Sequence, residues 1–267
     1  MTSTLPTMPL IAFLIAALAS AQSAPVAAAA EEDAKQAAAE KLVDQQYADW
    51  VATLPAARQT WEQVLQENLG SFYLPIHKRQ KVAGQSNAWD FIEDAPALPR
   101  VLLIGDSVSR GYTQAVRKAL AGKANVHRAP ANCGPTSLGV KKMDVWLGEG
   151  NWDVIHFNFG IHDRNTPTAD YTERLEQLVE RMKKTGATLI WASTTPIPDD
   201  GSKQQSGASI VERNQAAAEV MQKHGIATDD LFAAITPHLA TMQNPRDVHF
   251  NGEGYAFLGQ RVAEAIE

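Results

Sequence analysis

Acyl transfer asks for a short inventory of side chains, and this chain supplies it. A serine hydroxyl is a poor nucleophile until a neighbouring base removes its proton, and an imidazole near its ordinary pKa suits that task. A carboxylate must then hold the imidazole tautomer and stabilise the imidazolium. Ser107, His249 and Asp247 are the candidates for these three parts. The tetrahedral oxyanion needs prearranged donors, one of which is commonly worth about 3 kcal/mol. The backbone N–H groups of Ser107 and Gly134 and the side chain of His162 are the candidate donors. Asn158, Asp106 and Asp163 stand beside them as residues that could brace the loops.

The elements that must position these groups can be read from hydrophobic periodicity. Val101-Leu102-Leu103-Ile104 fits a buried parallel strand, and Gly105-Asp106 breaks it at its carboxyl end. From Val108 the apolar positions become helical, with Tyr112, Ala115, Val116, Ala119 and Leu120 on one face and Gly122 ending the run. Ser107 therefore stands where a strand hands over to a helix N-terminus, a place that exposes a hydroxyl in the crevice of an α/β sheet and favours negative charge. Taken alone, the segment leaves two readings of Ser107 open, nucleophile and helix N-cap.

Further strands are predicted near 124–127, 153–158, 188–192 and 226–228, alternating with helices near 138–147, 168–184 and 210–223 and a final helix that buries Tyr255, Leu258, Val262 and Ile266. That alternation signals a parallel sheet with helices on both faces. The strand ends deliver Gly105-Asp106-Ser107, Asn132-Cys133-Gly134-Pro135-Thr136 and Asn158-Phe159-Gly160-Ile161-His162-Asp163, and Arg246-Asp247-Val248-His249 precedes the last helix. In a parallel sheet such ends converge on one crevice. Other polar residues read as structural: His156 as a hydrogen-bonded strand residue, Asp229 and Asp230 as caps of the next helix, Cys133 as a small buried filler, and His77, His127, His224 and His238 as ordinary positions.

Composition limits the alternatives. With 267 residues the chain holds one sizeable core plus an appendage, and a net charge of −6 without a Lys/Arg cluster argues against a nucleic-acid surface. The apolar run Leu10 to Leu18, followed by Ala19-Ser20-Ala21, reads as a signal peptide over 1–21, with Ala27-Ala28-Ala29-Ala30 offering a second cleavage site near 30. The run is too short to span a bilayer comfortably, so no stable membrane insertion is expected after cleavage, and the location expected is secreted or periplasmic. Residues 31–99 read as a helical N-terminal extension packed on the main domain: Val43, Tyr47, Trp50, Val51 and Leu54 form one stripe, and Trp61, Val64, Leu65 and Leu69 a second, ended by Gly70. Residues 71–99 look irregular, with Pro75, Gly84 and Asp94-Ala95-Pro96.

From residue 100 to the C-terminus the chain resembles the SGNH, or GDSL, hydrolases. Four blocks carry the resemblance in order: Gly105-Asp106-Ser107, Gly134, Gly160-Ile161-His162-Asp163 and Asp247-Val248-His249. The resemblance implies a three-layer α/β/α flavodoxin-like fold with a five-stranded parallel sheet, no metal or other cofactor, and ester hydrolysis through an acyl-serine. Two departures stand out. His162 occupies the position where the family usually has Asn, and a neutral imidazole can donate only one N–H. The family aspartate usually lies three residues before the histidine; here that residue is Arg246, and Asp247 lies two before, leaving open a dyad oriented by a backbone carbonyl.

The function expected is an exported serine esterase acting on a small acyl ester, with O-acetyl groups on a carbohydrate as the expected substrate. A lipid-ester or thioester acylhydrolase is the alternative within the same chemistry. Three others compete less well. An α/β-hydrolase would need a final Gly in Gly105-Asp106-Ser107-Val108-Ser109. A metallohydrolase built on His156, His162, Asp163 and His249 would leave Ser107 unexplained. A non-catalytic cell-surface carbohydrate-binding protein on a degraded hydrolase fold would leave Ser107, Gly134 and His249 together without a reason.

Overall fold

The computed structural model describes residues 1, 12–199 and 206–267, with the backbone alone for 12–30. Its centre is one five-stranded parallel sheet in the order β2-β1-β3-β4-β5, formed by β1 (Arg100–Ile104), β2 (Asn125–Arg128), β3 (Val154–Phe157), β4 (Thr188–Ala192) and β5 (Ala227–Asp229). The order reverses at β1, so the ends of β1 and β3 open the crevice in which α/β proteins place their ligands.

Helices cover both faces because alternate strand residues point to opposite sides. Leu102, Ile104, Ile155, Phe157 and Trp191 pack with Met143, Trp146, Leu175, Leu178 and Val220. These come from α5 (Thr136–Leu147), α6 (Thr168–Lys183) and α7 (Gly207–His224). On the other side Val101 and Leu103 pack with Tyr112 and Val116 of α4 (Ser107–Ala119), Leu231 and Ile235 of α8 (Leu231–Ile235), and Leu258 and Val262 of α10 (Gly252–Ile266). A short helix, α9 (Leu239–Met242), leads into the loop before α10. The result is the three-layer α/β/α fold that the strand and helix periods anticipate.

Before the sheet lie α1 (Ala12–Ala52), α2 (Ala56–Asn68) and α3 (Gly70–Val82). The expectation that 71–99 is irregular holds only beyond Val82, since α3 runs through Pro75. Gly70, at φ 70°, turns the chain from α2 into α3. The proline removes one backbone hydrogen bond, and tertiary contacts offset the loss: Tyr73 meets Trp89 edge-on at 5.4 Å, and His77 Nε2 lies 2.7 Å from Glu62 Oε2. Tyr47 O–H donates to the same Glu62 oxygen at 2.6 Å.

The segment from 85 to 98 straps this helical unit to the sheet. Gln114 Nε2 and Arg117 Nη1 donate to Asn87 O at 2.7 and 3.1 Å, while Asn125 exchanges side-chain bonds with the Ala95 backbone at 2.9 and 3.0 Å. The apolar run read as the heart of a signal peptide begins outside the described residues. Among the described residues no helix is long and apolar enough to cross a membrane.

Candidate active site

The turn after β1 sets Ser107 as the first residue of α4. The N-cap is Asp106, whose carboxylate accepts from Val108 N–H at 2.9 Å. The capping role that Ser107 could have filled is therefore taken, and its hydroxyl is available elsewhere. It lies 2.7 Å from His249 Nε2.

His249 reaches Ser107 from the loop before α10. That loop is closed by an antiparallel bridge between Gln243 and Phe250 and by Asn244 N–H donating to His249 O at 2.9 Å. Asp247 Oδ1 lies 2.7 Å from His249 Nδ1 and accepts from the His249 backbone N–H at 3.2 Å. An aspartate whose oxygen takes the N–H two residues on forms an Asx turn, and here the same oxygen also takes the ring nitrogen. This is how a carboxylate two residues before the histidine, rather than three, meets the ring. Arg246, at the position expected for the family aspartate, adopts φ 58°, a left-handed conformation that turns Asp247 back toward His249. Partial burial opposes ionisation of Asp247, but the bonds from the His249 side chain and backbone outweigh it and hold the carboxyl below the usual carboxylate range.

The candidate oxyanion donors surround the same turn. Gly134 has φ 58°, a conformation that favours glycine, and Cys133 N–H donates to Gly105 O at 3.1 Å, holding this loop beside the Ser107 turn. Asp163 ties the second and third loops together: Oδ2 accepts from Thr136 N–H at 2.7 Å and Oδ1 from the Thr136 hydroxyl at 2.8 Å. His162 lies in a short 3-10 turn, Ile161–Asp163, exposed, with Nε2 3.7 Å from Asp106 Oδ2. That distance is an ion-pair approach and too long for a hydrogen bond. Asn158 Nδ2 donates to Ala192 O at 2.8 Å and to Thr194 Oγ1 at 3.0 Å, joining β3 to β4 just below the third loop.

The remaining polar residues separate cleanly. His156 Nε2 pairs with Asp229 Oδ2 at 3.0 Å, both buried, so Asp229 is a strand partner and only Asp230 caps α8, accepting from Ala233 N–H. His77 and His127 are not idle positions, since each contacts a carboxylate, Glu62 and Asp94 respectively. Burial pushes the Cys133 thiol up to about 12, which removes it as a nucleophile. Among the described residues no cluster of His, Cys, Asp and Glu has the geometry of a metal site. The sequence reading missed Arg128, which is fully buried beneath the Ser107 turn. Arg128 falls one residue past the strand predicted at 124–127, which is why that reading gave it no weight.

The model of the GDSL-like lipase/acylhydrolase family matches residues 103–257. No curated protein matches the sequence. Among solved structures, a lipase/acylhydrolase from Enterococcus faecalis is similar at 21% identity and a TM-score of 0.57, covering 63% of this chain and 95% of that one. An acetyl xylan esterase, AlAXEase, is similar at 16% identity and 0.55, covering 63% and 100%. The acetylxylan esterase Axe2 from Geobacillus stearothermophilus gives 15% and 0.54, covering 63% and 94%. At these identities the neighbours speak for the fold, the SGNH hydrolase fold, while the family match spans more than half of the chain and takes in the Ser107 turn. The chain belongs to the GDSL-like lipase/acylhydrolase family, a family of ester hydrolases.

Proposed function

We propose that the protein is an exported serine esterase that removes small acyl groups, acetyl foremost, from a carbohydrate. The observation that carries the serine mechanism is the continuous relay from Ser107 Oγ through both ring nitrogens of His249 to Asp247, each step 2.7 Å. In acylation, Ser107 Oγ attacks the ester carbonyl carbon as its proton passes to His249 Nε2. Asp247 bears on the Nδ1 side and stabilises the imidazolium. Collapse of the tetrahedral intermediate breaks the bond to the alcohol oxygen, which leaves with the proton from Nε2. A water then gives its proton to Nε2 while its oxygen attacks the acyl carbon, and the acid departs as Ser107 recovers its proton. The Ser107 and Gly134 N–H groups and the His162 ring are proposed to take up the oxyanion charge. The Asp106 carboxylate lies 3.7 Å from Nε2 of that ring.

The acetyl and carbohydrate parts draw support from two neighbours in fold that are named acetylxylan esterases. Export draws support from the apolar run and small-residue cleavage sites in the first 30 residues. The mechanism is tested without a known substrate by intact-mass analysis after a fluorophosphonate probe. A single adduct on Ser107, absent from Ser107→Ala and His249→Ala, is expected. A folded wild type that takes up no probe and deacetylates no O-acetylated xylan oligosaccharide would overturn the reading in favour of a binding protein.

A further inference from the structure

Arg128 ends β2 directly beside the strand that delivers the nucleophile, paired in register with Leu103. Its side chain is 1% exposed. Nη2 donates to Gly105 O at 2.9 Å and to Asp106 O at 2.8 Å, and Nη1 donates to Ser109 Oγ at 2.5 Å. All three acceptors belong to the nucleophile turn, and all are uncharged oxygens. Among the described residues no carboxylate lies within 4.0 Å of the guanidinium as an ion-pair partner. On the side of the N-terminal unit the Trp89 ring approaches the guanidinium carbon at 5.9 Å and is itself buried.

Burial disfavours the charge on Arg128, and the Asp106 carboxylate offsets that only from beyond ion-pair distance, so the buried cation is expensive. Stability alone gives no reason to keep it. Its position does. Asp106 C=O and Ser107 N–H are the two ends of one peptide unit, and a trans peptide points its C=O and N–H to opposite edges of its plane. That carbonyl also accepts the Arg110 N–H at 3.0 Å and the Ser109 hydroxyl at 3.1 Å, so the guanidinium is the third group, and the one charged group, that fixes it and with it the direction of the Ser107 N–H. As the first residue of α4, Ser107 has no intrahelical acceptor for that N–H. A cation on the carbonyl also polarises the unit, which makes the N–H a stronger donor.

We propose that Arg128 is a positioning residue of the oxyanion hole, aiming and polarising the Ser107 N–H from behind, with Trp89 of the N-terminal unit sealing it from water. The proposal rests on the serine-esterase reading above. It assigns the N-terminal unit a part in catalysis: Trp89 keeps the environment of the guanidinium dry, so that its bonds to the turn are not diluted by solvent. Arg128 touches no reacting atom and acts through the peptide.

The test compares the full chain with Arg128→Met and Arg128→Lys on p-nitrophenyl acetate and on its thiono counterpart, in which sulfur replaces the carbonyl oxygen. A hole built for oxygen discriminates against the larger and weaker-accepting sulfur, so the wild type should favour the oxygen ester. The ratio of the two kcat/KM values does not depend on the fraction of protein that is folded. Expected for Arg128→Met is a loss of about 10–100-fold in kcat on the oxygen ester, with KM within about twofold and the ratio at least several-fold smaller. Arg128→Lys keeps a buried cation but cannot hold two carbonyls and a hydroxyl in one plane, so its ratio should fall between. A ratio equal to the wild type's in Arg128→Lys, or in Arg128→Met where that variant folds, overturns the assignment. A wild type that turns over neither ester overturns the esterase reading, and this one with it.

Discussion

His162 stands where the family usually has an asparagine, and its chemistry decides whether this exchange is tolerated. An asparagine amide offers two N–H donors regardless of pH; an imidazole offers one unless it is protonated. The Asp106 carboxylate lies 3.7 Å from Nε2. Asp106 thus caps α4 through one oxygen and faces His162 with the other. If the ring serves as an oxyanion donor, His162→Asn should retain activity within about tenfold, whereas His162→Ala should lose about 10²–10³-fold in kcat. Steady-state kinetics on an acetate ester separates the two. An Asn variant as inactive as Ser107→Ala would assign His162 a different task.

At the scale of elements, the loop between α9 and α10 shows how a shifted motif can still close a relay. The two-residue spacing of Asp247 and His249 works because an Asx turn needs that spacing, and because Arg246 accepts a left-handed backbone. For a non-glycine residue that conformation costs on the order of 1–2 kcal/mol, and for a β-branched one more. Arg246→Gly should therefore keep or slightly raise thermal stability and leave kcat within about twofold, while Arg246→Val should lower Tm and weaken the Asp247–His249 contact. Calorimetry beside ester kinetics checks both; equal behaviour of the two variants would show that the left-handed backbone is not what aims Asp247. The loop also marks the boundary of what the sequence reveals. Strands and helices around the sheet were legible because Leu102/Ile104 and Val101/Leu103 alternate, and because Tyr171, Leu175, Leu178 and Met182 recur at helical spacing. Whether Asp247 could reach His249 was not legible, since it depends on one φ angle. Helix α3 was misread because Pro75 signals a break locally, while the contacts of Tyr73 and His77 that outweigh it are tertiary. Asp229 looked like a cap beside Asp230, because its partner His156 lies 73 positions earlier in the chain.

For the whole molecule, the question is whether the N-terminal helices and the α/β layers are one cooperative body. The strap from 85 to 98 argues that they are. Its carbonyls take bonds from Gln114 and Arg117 on α4, the helix that begins at Ser107, and its Ala95 backbone pairs with Asn125 on the edge strand β2. Trp89 sits at the junction: it packs with Leu65 of α2 and with Leu69 just beyond that helix, its carbonyl accepts from Trp61 Nε1 at 2.8 Å, and its ring lies over Arg128. Removing such a side chain leaves a cavity in the small helical core and opens a path for water to the guanidinium. Trp89→Ala should cost about 3–5 kcal/mol. For a chain of this size each kcal/mol shifts Tm by roughly 2–4 °C, so a drop on the order of 10 °C is expected. Coupling between the two units predicts that the drop appears in a single transition, seen alike by far-UV circular dichroism and by loss of fluorophosphonate labelling at Ser107. Two separate transitions, with only the lower one moved and labelling retained between them, would mean that the helical unit melts on its own. The nucleophile turn would then hold its geometry without the tryptophan that covers it.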